Sequence, residues 1–237
     1  IGLDKGIELV QAVGETVPQW ILDLKATGES TFYKYEKGQK KYFNIESKKF
    51  EAVPGSEAFI ILDSYRENAP VIKNSECTVH DIGDGVLCLE FTSKSNAIGE
   101  GIGKAMDEVI RIAEEGSWKG IVIGNNGKQF SVGANLMNVG MLAMQKQFDP
   151  LNQMINDFQQ INMRIRTSKI PVVVATQGYV FGGGCEIAMH CDAGVYAAES
   201  YIGLVEVGVG LLPGGGGTKE FAVRASDDFF EGDVQSP

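Results

Sequence analysis

Strand-like runs of four to six residues alternate with segments of helical period along most of the chain, and this alternation limits the fold to α/β construction. Thr78 to Ile82 and Val86 to Phe91 flank Asp84-Gly85, a hairpin signal. Gly120-Ile121-Val122-Ile123 and Pro171-Val172-Val173-Val174-Ala175 read as buried strands, and Ala193 to Ala197 as another. Between them, Gly99 to Glu115 predicts a helix with Ile102, Met106, Val109, Ile110 and Ala113 on one face. Pro150 to Arg166 predicts a second, with Met154, Ile155, Phe158, Ile161 and Ile165 in register, and Glu186 to Cys191 a third.

The first seventy or so residues follow a different rhythm. Ile7, Val10, Val13 and Val17, then Ile21, Leu22 and Leu24, recur at helical intervals up to about Gly28. Thr16-Val17-Pro18 suits a fresh helix start, with Thr16 as cap and Pro18 in the first turn. Phe32 to Tyr35 and Tyr42 to Ile45 surround Lys37-Gly38-Gln39, which predicts a β-hairpin closed by Val53-Pro54-Gly55. Phe59 to Leu62 is a short apolar run, and Arg66 to Ser75 reads as a linker. The boundary is placed near Asn74, giving one region over 1–74 and another over 75–237.

Composition excludes several functions. With Lys+Arg 21 against Asp+Glu 31, the formal charge is −10, so nothing favours binding to nucleic acid phosphates. An anionic ligand held by backbone amides is still allowed. Cys77, Cys88, Cys185 and Cys191 form no C-x-x-C pair and read as buried thiols in a reducing compartment, with no disulfide framework and no metal site. No apolar run reaches the roughly 20 residues of a membrane helix. These features predict a cytoplasmic protein. The start at Ile1 and the stop at Pro237 suggest a piece of a longer polypeptide.

Three glycine clusters invite a phosphate-loop reading. Gly99-Glu100-Gly101-Ile102-Gly103 is G-x-G-x-G, which does not match the dinucleotide fingerprint, and a loose helix entry explains it better. Gly214 to Gly217 precedes Thr218-Lys219 in the wrong order for a Walker loop, and tight turning is expected there. Gly182-Gly183-Gly184 follows a strand and runs into a helix. It lets a ligand approach the backbone and leaves amides pointing outward at the positive end of a helix, although a plain packing turn would look the same.

Gly178 to Met189 (GYVFGGGCEIAM), Cys191-Asp192, Tyr201 to Glu206 and Gly208 to Gly214 together resemble the signature of the enoyl-CoA hydratase/isomerase (crotonase) superfamily. Gly127 to Leu136 (GKQFSVGANL) is similar to its second segment, and Ser95-Asn96-Ala97-Ile98 is a weaker echo. The resemblance covers about Thr78 to Lys219. It implies a crotonase-like ββα spiral, truncated at its C-terminal end. The stretch from Gly2-Leu3-Asp4 to Val53-Pro54-Gly55 resembles the helical and hairpin tail of a 3-hydroxyacyl-CoA dehydrogenase C-terminal region, as in multifunctional β-oxidation proteins.

The resemblance implies an enoyl-CoA hydratase with a coenzyme A thioester as substrate and no bound cofactor, NAD belonging to the absent dehydrogenase part. It puts the two oxyanion-hole amides on Ala134 and Gly183, where one such donor is commonly worth about 3 kcal/mol. It makes Glu186 and Glu206 the catalytic acids, twenty positions apart (206 − 186), with Glu186 on the water and Glu206 on the α-proton. Asn96, Ala97, Asn135, Leu136, Met137 and Gly182 would contact the CoA ester. Asn135 stands where the family more often has Asp, and Val205 replaces a usual proline. A homo-oligomer or a thiolase partner is implied for the full-length protein. Met137, Met141 and Met144 form a stripe suited to core or acyl-pocket packing. His190, four residues after Glu186, reads as a packed histidine in preference to a catalytic or metal partner. Isomerase or thioester-hydrolase chemistry on the same fold, and a non-catalytic docking fragment, are the competing readings.

Overall fold

The computed structural model describes residues 2–36, 39–56, 59–66 and 68–227. The chain divides into two compact units, Ile1–Ala69 and Pro70–Pro237. In the first, helices α1 (Leu3–Ala12) and α2 (Gln19–Ala26) precede an antiparallel sheet of β1 (Tyr33–Glu36), β2 (Gln39–Asn44) and β3 (Lys49–Ala52). Leu3, Ile7, Val17, Leu24 and Phe43 make its core, while Val13 faces solvent. The hairpin pairs Tyr33 with Tyr42. Lys37 and Gly38 of its turn lie outside the described residues. Thr16 does not cap α2: the helix begins at Gln19, with Pro18 as the capping residue and no side-chain cap bond. The third strand was not foreseen, because Lys49-Phe50-Glu51-Ala52 carries a single large apolar residue.

The second unit is built on a six-stranded sheet. In chain order its strands are β4 (Ile72–Lys73), β5 (Cys77–Asp81), β6 (Val86–Phe91), β7 (Gly120–Gly124), β8 (Val172–Thr176) and β10 (Ala193–Tyr196), and in space the order is β10-β8-β7-β6-β5-β4. The β4–β5 and β5–β6 pairs are antiparallel; β6, β7, β8 and β10 run parallel. The unit therefore starts before Asn74, since Ile72–Lys73 are already paired to Val79 and Thr78.

Each parallel strand is followed by a short extended segment in a second layer. Ile98 bridges Ala134, Ser131 bridges Val180, and β9 (Tyr179–Phe181) pairs in parallel with β11 (Tyr201–Gly203). Helices close the successive turns: α3 (Glu100–Glu115), then α4 (Leu136–Met144) and α5 (Phe148–Arg166), then α6 (Gly183–His190), then α7 (Gly217–Asp227). Strand, second-layer strand and helix thus repeat as a ββα spiral. The face foreseen for α3 is fully buried: Ile102, Met106, Val109, Ile110 and Ala113 join Leu87, Leu89, Ile121, Ile123, Val172 and Val174 in one core. Its loose glycine entry is capped by Glu76, whose carboxylate accepts from the Ile102 amide at 3.0 Å.

Of the two roles expected for the methionine stripe, core or acyl-pocket packing, the core role fails. On α4, Met137 is 82% and Met144 87% exposed, Met141 is also exposed, and no residue of the helix is buried. The stripe is not a core face, because α4 packs against α5 and is not covered by the sheet.

Candidate active site

The site forms where the second-layer strands end. After β9 the chain turns sharply at Gly182 (φ 51°) and enters α6 at once. The positive φ suits glycine, and space also demands it: a methyl carbon on Gly182 would lie 3.1 Å from Glu206 Oε1. The Gly182 carbonyl accepts the first helical bond, from Glu186 N at 3.0 Å. The amides of Gly183, Gly184 and Cys185 thus stand at the open end of the helix. Gly183 is flanked by Phe158 and Ile98, so the ground beside its amide is apolar.

The second segment arrives from β7. Gly133 (φ 92°) packs so closely that a methyl carbon on it would lie 2.9 Å from Phe181 O, with Gly183 N next at 3.4 Å. Ile98 N donates to Gly133 O at 2.8 Å, and Asn135 N donates to Ile98 O at 3.0 Å. This leaves the Ala134 amide directed away from Ile98, because the Gly133 carbonyl and the Ala134 N–H lie in one trans peptide plane and point oppositely. Among the described residues, neither Ala134 N nor Gly183 N donates to another group of the chain.

Glu186 lies on the first turn of α6 and is 1% exposed. Its Oε1 accepts from Gly215 N at 2.8 Å and Gly217 N at 2.9 Å. Burial is the largest influence and pushes its carboxyl above the usual range; the Gly217 amide opposes this, nearby Glu206 adds to it, and the Gly215 amide opposes it again. Glu206 opens a 3₁₀ turn (Glu206–Val209) after β11 and is half-buried over Gly182. Its Oε2 is buried and makes no hydrogen bond among the described residues. A buried acceptor of that kind is costly unless substrate or water uses it.

The glycine run after Pro213 therefore does more than turn the chain. Its amides hold Glu186, and its carbonyls are held by α5: Gln159 Nε2 donates to Gly214 O at 2.7 Å and the fully buried Asn162 Nδ2 to Gly215 O at 2.9 Å. Sequence reasoning missed these two residues. The one available signal was an asparagine beside Ile161 on the apolar face of α5.

Residues 81–227, more than half of the chain, match the family described as Enoyl-CoA hydratase/isomerase. The chain belongs to that family. A protein named probable 3-hydroxyacyl-CoA dehydrogenase from Bacillus subtilis (strain 168) is 40% identical over 225 residues, 94% of this chain and 28% of that protein. The mitochondrial enoyl-CoA hydratase of Pongo abelii is 32% identical over 145 residues, 57% of this chain and 45% of that enzyme. The crystal structure of an enoyl-CoA hydratase from Polaromonas sp. JS666 aligns with a TM-score of 0.59 at 27% identity, covering 62% of this chain and 58% of that one. The chain thus spans less than half the length of these two curated relatives.

Within this hydratase/isomerase fold, Asn96, Ala97, Ala134, Asn135, Gly182 and Gly183 fall on neighbouring second-layer segments, and Glu186 and Glu206 adjoin them. Asn96 is buried, Ala97 and Asn135 are half-buried, and Leu136 and Met137 are exposed. Asn135 also caps α4, its Oδ1 accepting from Met137 N at 3.2 Å, a local role open to Asp or Asn alike. His190 is buried and packed: Nδ1 lies 2.7 Å from Glu186 O, and Nε2 lies 3.6 Å from Glu220. The four thiols are buried and free. Cys185, beside Glu186, is pushed up to about 11, chiefly by burial, which leaves it a poor nucleophile. Among the described residues no helix is long and apolar enough to cross a membrane.

Proposed function

We propose that this chain carries an enoyl-CoA hydratase site, adding water to a 2-enoyl-CoA to give a 3-hydroxyacyl-CoA in fatty acid β-oxidation. The observation that carries this reading is a pair of carboxylates about the Gly182–Gly183 turn: Glu206 lies against Gly182 with a buried oxygen that no described residue uses, and Glu186, on the first turn of the helix that follows, is anchored by two amides. In this reading the thioester oxygen sits against the Ala134 and Gly183 amides, which stabilise the negative charge that develops there. Glu186, ionised, takes a proton from water as the water oxygen bonds to the β-carbon. The electron pair of the double bond moves toward the thioester oxygen, and the α-carbon then takes a proton from the Glu206 carboxyl. Proton exchange between the carboxylates and solvent restores the site. Burial brings the Glu186 carboxyl nearer working pH, which suits a general base. An isomerase can work with the Glu206 position alone, so the dedicated anchoring of Glu186 favours hydration.

The substrate is a coenzyme A thioester, with no cofactor, and Asn96, Ala97, Asn135, Leu136, Met137 and Gly182 are proposed to contact it. Residues 1–74 are proposed as the tail of a 3-hydroxyacyl-CoA dehydrogenase C-terminal region plus a linker, whose last residues already pair in the second unit's sheet, in a multifunctional protein where NAD serves the dehydrogenase part. The match of 94% of this chain to a relative named for that activity supports the arrangement. The test is hydration of a short and a long 2-enoyl-CoA by the full-length protein, followed by loss of conjugated thioester absorbance. Glu186→Gln and Glu206→Gln should each lower the rate by about 10²- to 10⁴-fold. Substrate binding without hydration by the parent would redirect the assignment to isomerase or hydrolase chemistry.

A further inference from the structure

Ser131 is fully buried and joins three segments that carry the site. Its Oγ donates to Asn96 O at 2.7 Å and accepts from Gly133 N at 3.0 Å. Its own backbone is laced to β9: Ser131 N donates to Tyr179 O and Phe181 N donates to Ser131 O, each at 3.0 Å. Behind it stands the start of α6, where a methyl carbon on Gly184 would lie 2.8 Å from Ser131 Cβ. One side chain thus touches the Asn96–Ala97 segment, the turn before Ala134 and the helix that presents Gly183.

The chemistry of the position is narrow. The hydroxyl must give one hydrogen bond and take another, which alanine cannot do and a thiol does weakly. The neighbours need this clasp. Ser95 (φ 57°) and Asn96 (φ 53°) both occupy the left-handed region, which costs non-glycine residues energy unless their surroundings hold them there. Gly133 has its carbonyl fixed by Ile98 and its amide fixed by Ser131, so both peptide planes around it are determined.

We propose that Ser131 is a positioning residue for the two carbonyl-binding amides, acting through Gly133 on Ala134 and through the packing of Gly184 on Gly183, and tying both to the Asn96–Ala97 segment. The proposal rests on the reading of Ala134 and Gly183 as the oxyanion donors. Its test uses the full-length protein, Ser131→Ala and Ser131→Cys, and an aryl-conjugated 2-enoyl-CoA whose absorbance moves to longer wavelength when its carbonyl is polarised. Ser131→Ala should bind the probe but lose more than about half of the red shift, with kcat down about 10- to 100-fold and KM changed less than about threefold. Ser131→Cys should lie between Ala and parent in both readouts, and it supplies the test if the alanine variant does not fold. A parent-like red shift and kcat in Ser131→Ala, or in Ser131→Cys if only that variant folds, overturns the proposal while leaving the oxyanion reading intact. A parent that polarises no acyl-CoA removes that reading and this proposal together.

Discussion

Glu186 Oε1 accepts the Gly215 amide at 2.8 Å across 29 positions of chain, so the catalytic carboxylate proposed for water is held by a loop that the spiral delivers one turn later. The contact explains two features at once. Among the described residues Glu186 is buried with no salt-bridge partner, a costly state unless amides share the charge. Gly215 and Gly217 have no room for side chains, because methyl carbons there would meet Glu186 Oε2 at 2.7 Å and Cγ at 3.0 Å. The loop acts as a mould for the carboxylate, and α5 holds the mould through Gln159 and Asn162.

Gly215→Ala should be damaging at once to fold and function. The added methyl would sit 2.6 Å from Asn162 Nδ2 and 2.7 Å from Glu186 Oε2. Overpacking of this kind costs about 1–3 kcal/mol. Thermal unfolding should show that loss, and hydration should fall further than stability alone explains, since the carboxylate itself is displaced. Gly214→Ala is the control: its nearest neighbour would be Ile155 Cγ2 at 3.7 Å, an ordinary contact.

Glu186→Gln should trade activity for stability in a pH-dependent way. Burial raises the carboxyl of Glu186 above its ordinary value of 4.5. An acid raised in the folded state contributes stability fully below that ordinary value and loses it as pH climbs through the native value. The neutral amide keeps an oxygen for Gly215 and Gly217 and escapes the cost of ionisation. Melting temperatures should therefore favour the variant at pH 8, with the gap closing toward pH 4.5, at about 2–4 °C per kcal/mol for a chain of this size. A gap that is constant across pH would mean that ionisation of Glu186 is not the source.

Glu220 shows the opposite sign. Burial alone would raise it, but Lys219, Arg166 and His190 outweigh burial and hold it at about 2. Its stabilisation is present above the ordinary 4.5 and is lost as pH falls toward 2. Glu220→Gln should cost about 2 kcal/mol at pH 7, less than a fully buried pair because Arg166 and Lys219 are partly in solvent. It should also flatten the acid limb of stability between pH 4.5 and 2. Urea unfolding at pH 7 and pH 3 measures both effects.

Much of the fold was legible because periodicity is a local property. The α3 face from Ile102 to Ala113 and the runs at Val86, Gly120 and Val172 each state their burial within a few residues. What stayed hidden depends on distant partners. The Met137–Met144 stripe looks like a core face, but its exposure is decided by what packs beside α4. The glycines after Pro213 read as a turn; their hold on Glu186 spans 29 and 31 positions and leaves no periodic trace. Family likeness pointed to the two glutamates proposed as catalytic, yet Ser131, Gln159 and Asn162 bond to backbone groups of other segments, and residue type alone does not disclose that.

Asn162→Leu tests whether α5 tunes Glu186 through the loop. Asn162 donates to Gly215 O, whose own amide holds Glu186 Oε1, so the two bonds lie in series. Leucine keeps most of the volume but leaves the buried Gly215 carbonyl unpaired, a change that costs about 1–3 kcal/mol. If the loop relaxes, the carboxylate loses donors that pull its pKa down, while burial and the nearby Glu206 continue to push it up. The acid limb of kcat/KM should then move to higher pH, and the rate at pH 7 should fall about tenfold. Asn162→Asp should behave worse, since it places an acceptor and a charge where the carbonyl needs a donor. A variant that is merely destabilised would lose rate evenly across pH, and an unmoved acid limb in Asn162→Leu would show that Glu186 is held by Gly217 and burial without help from α5.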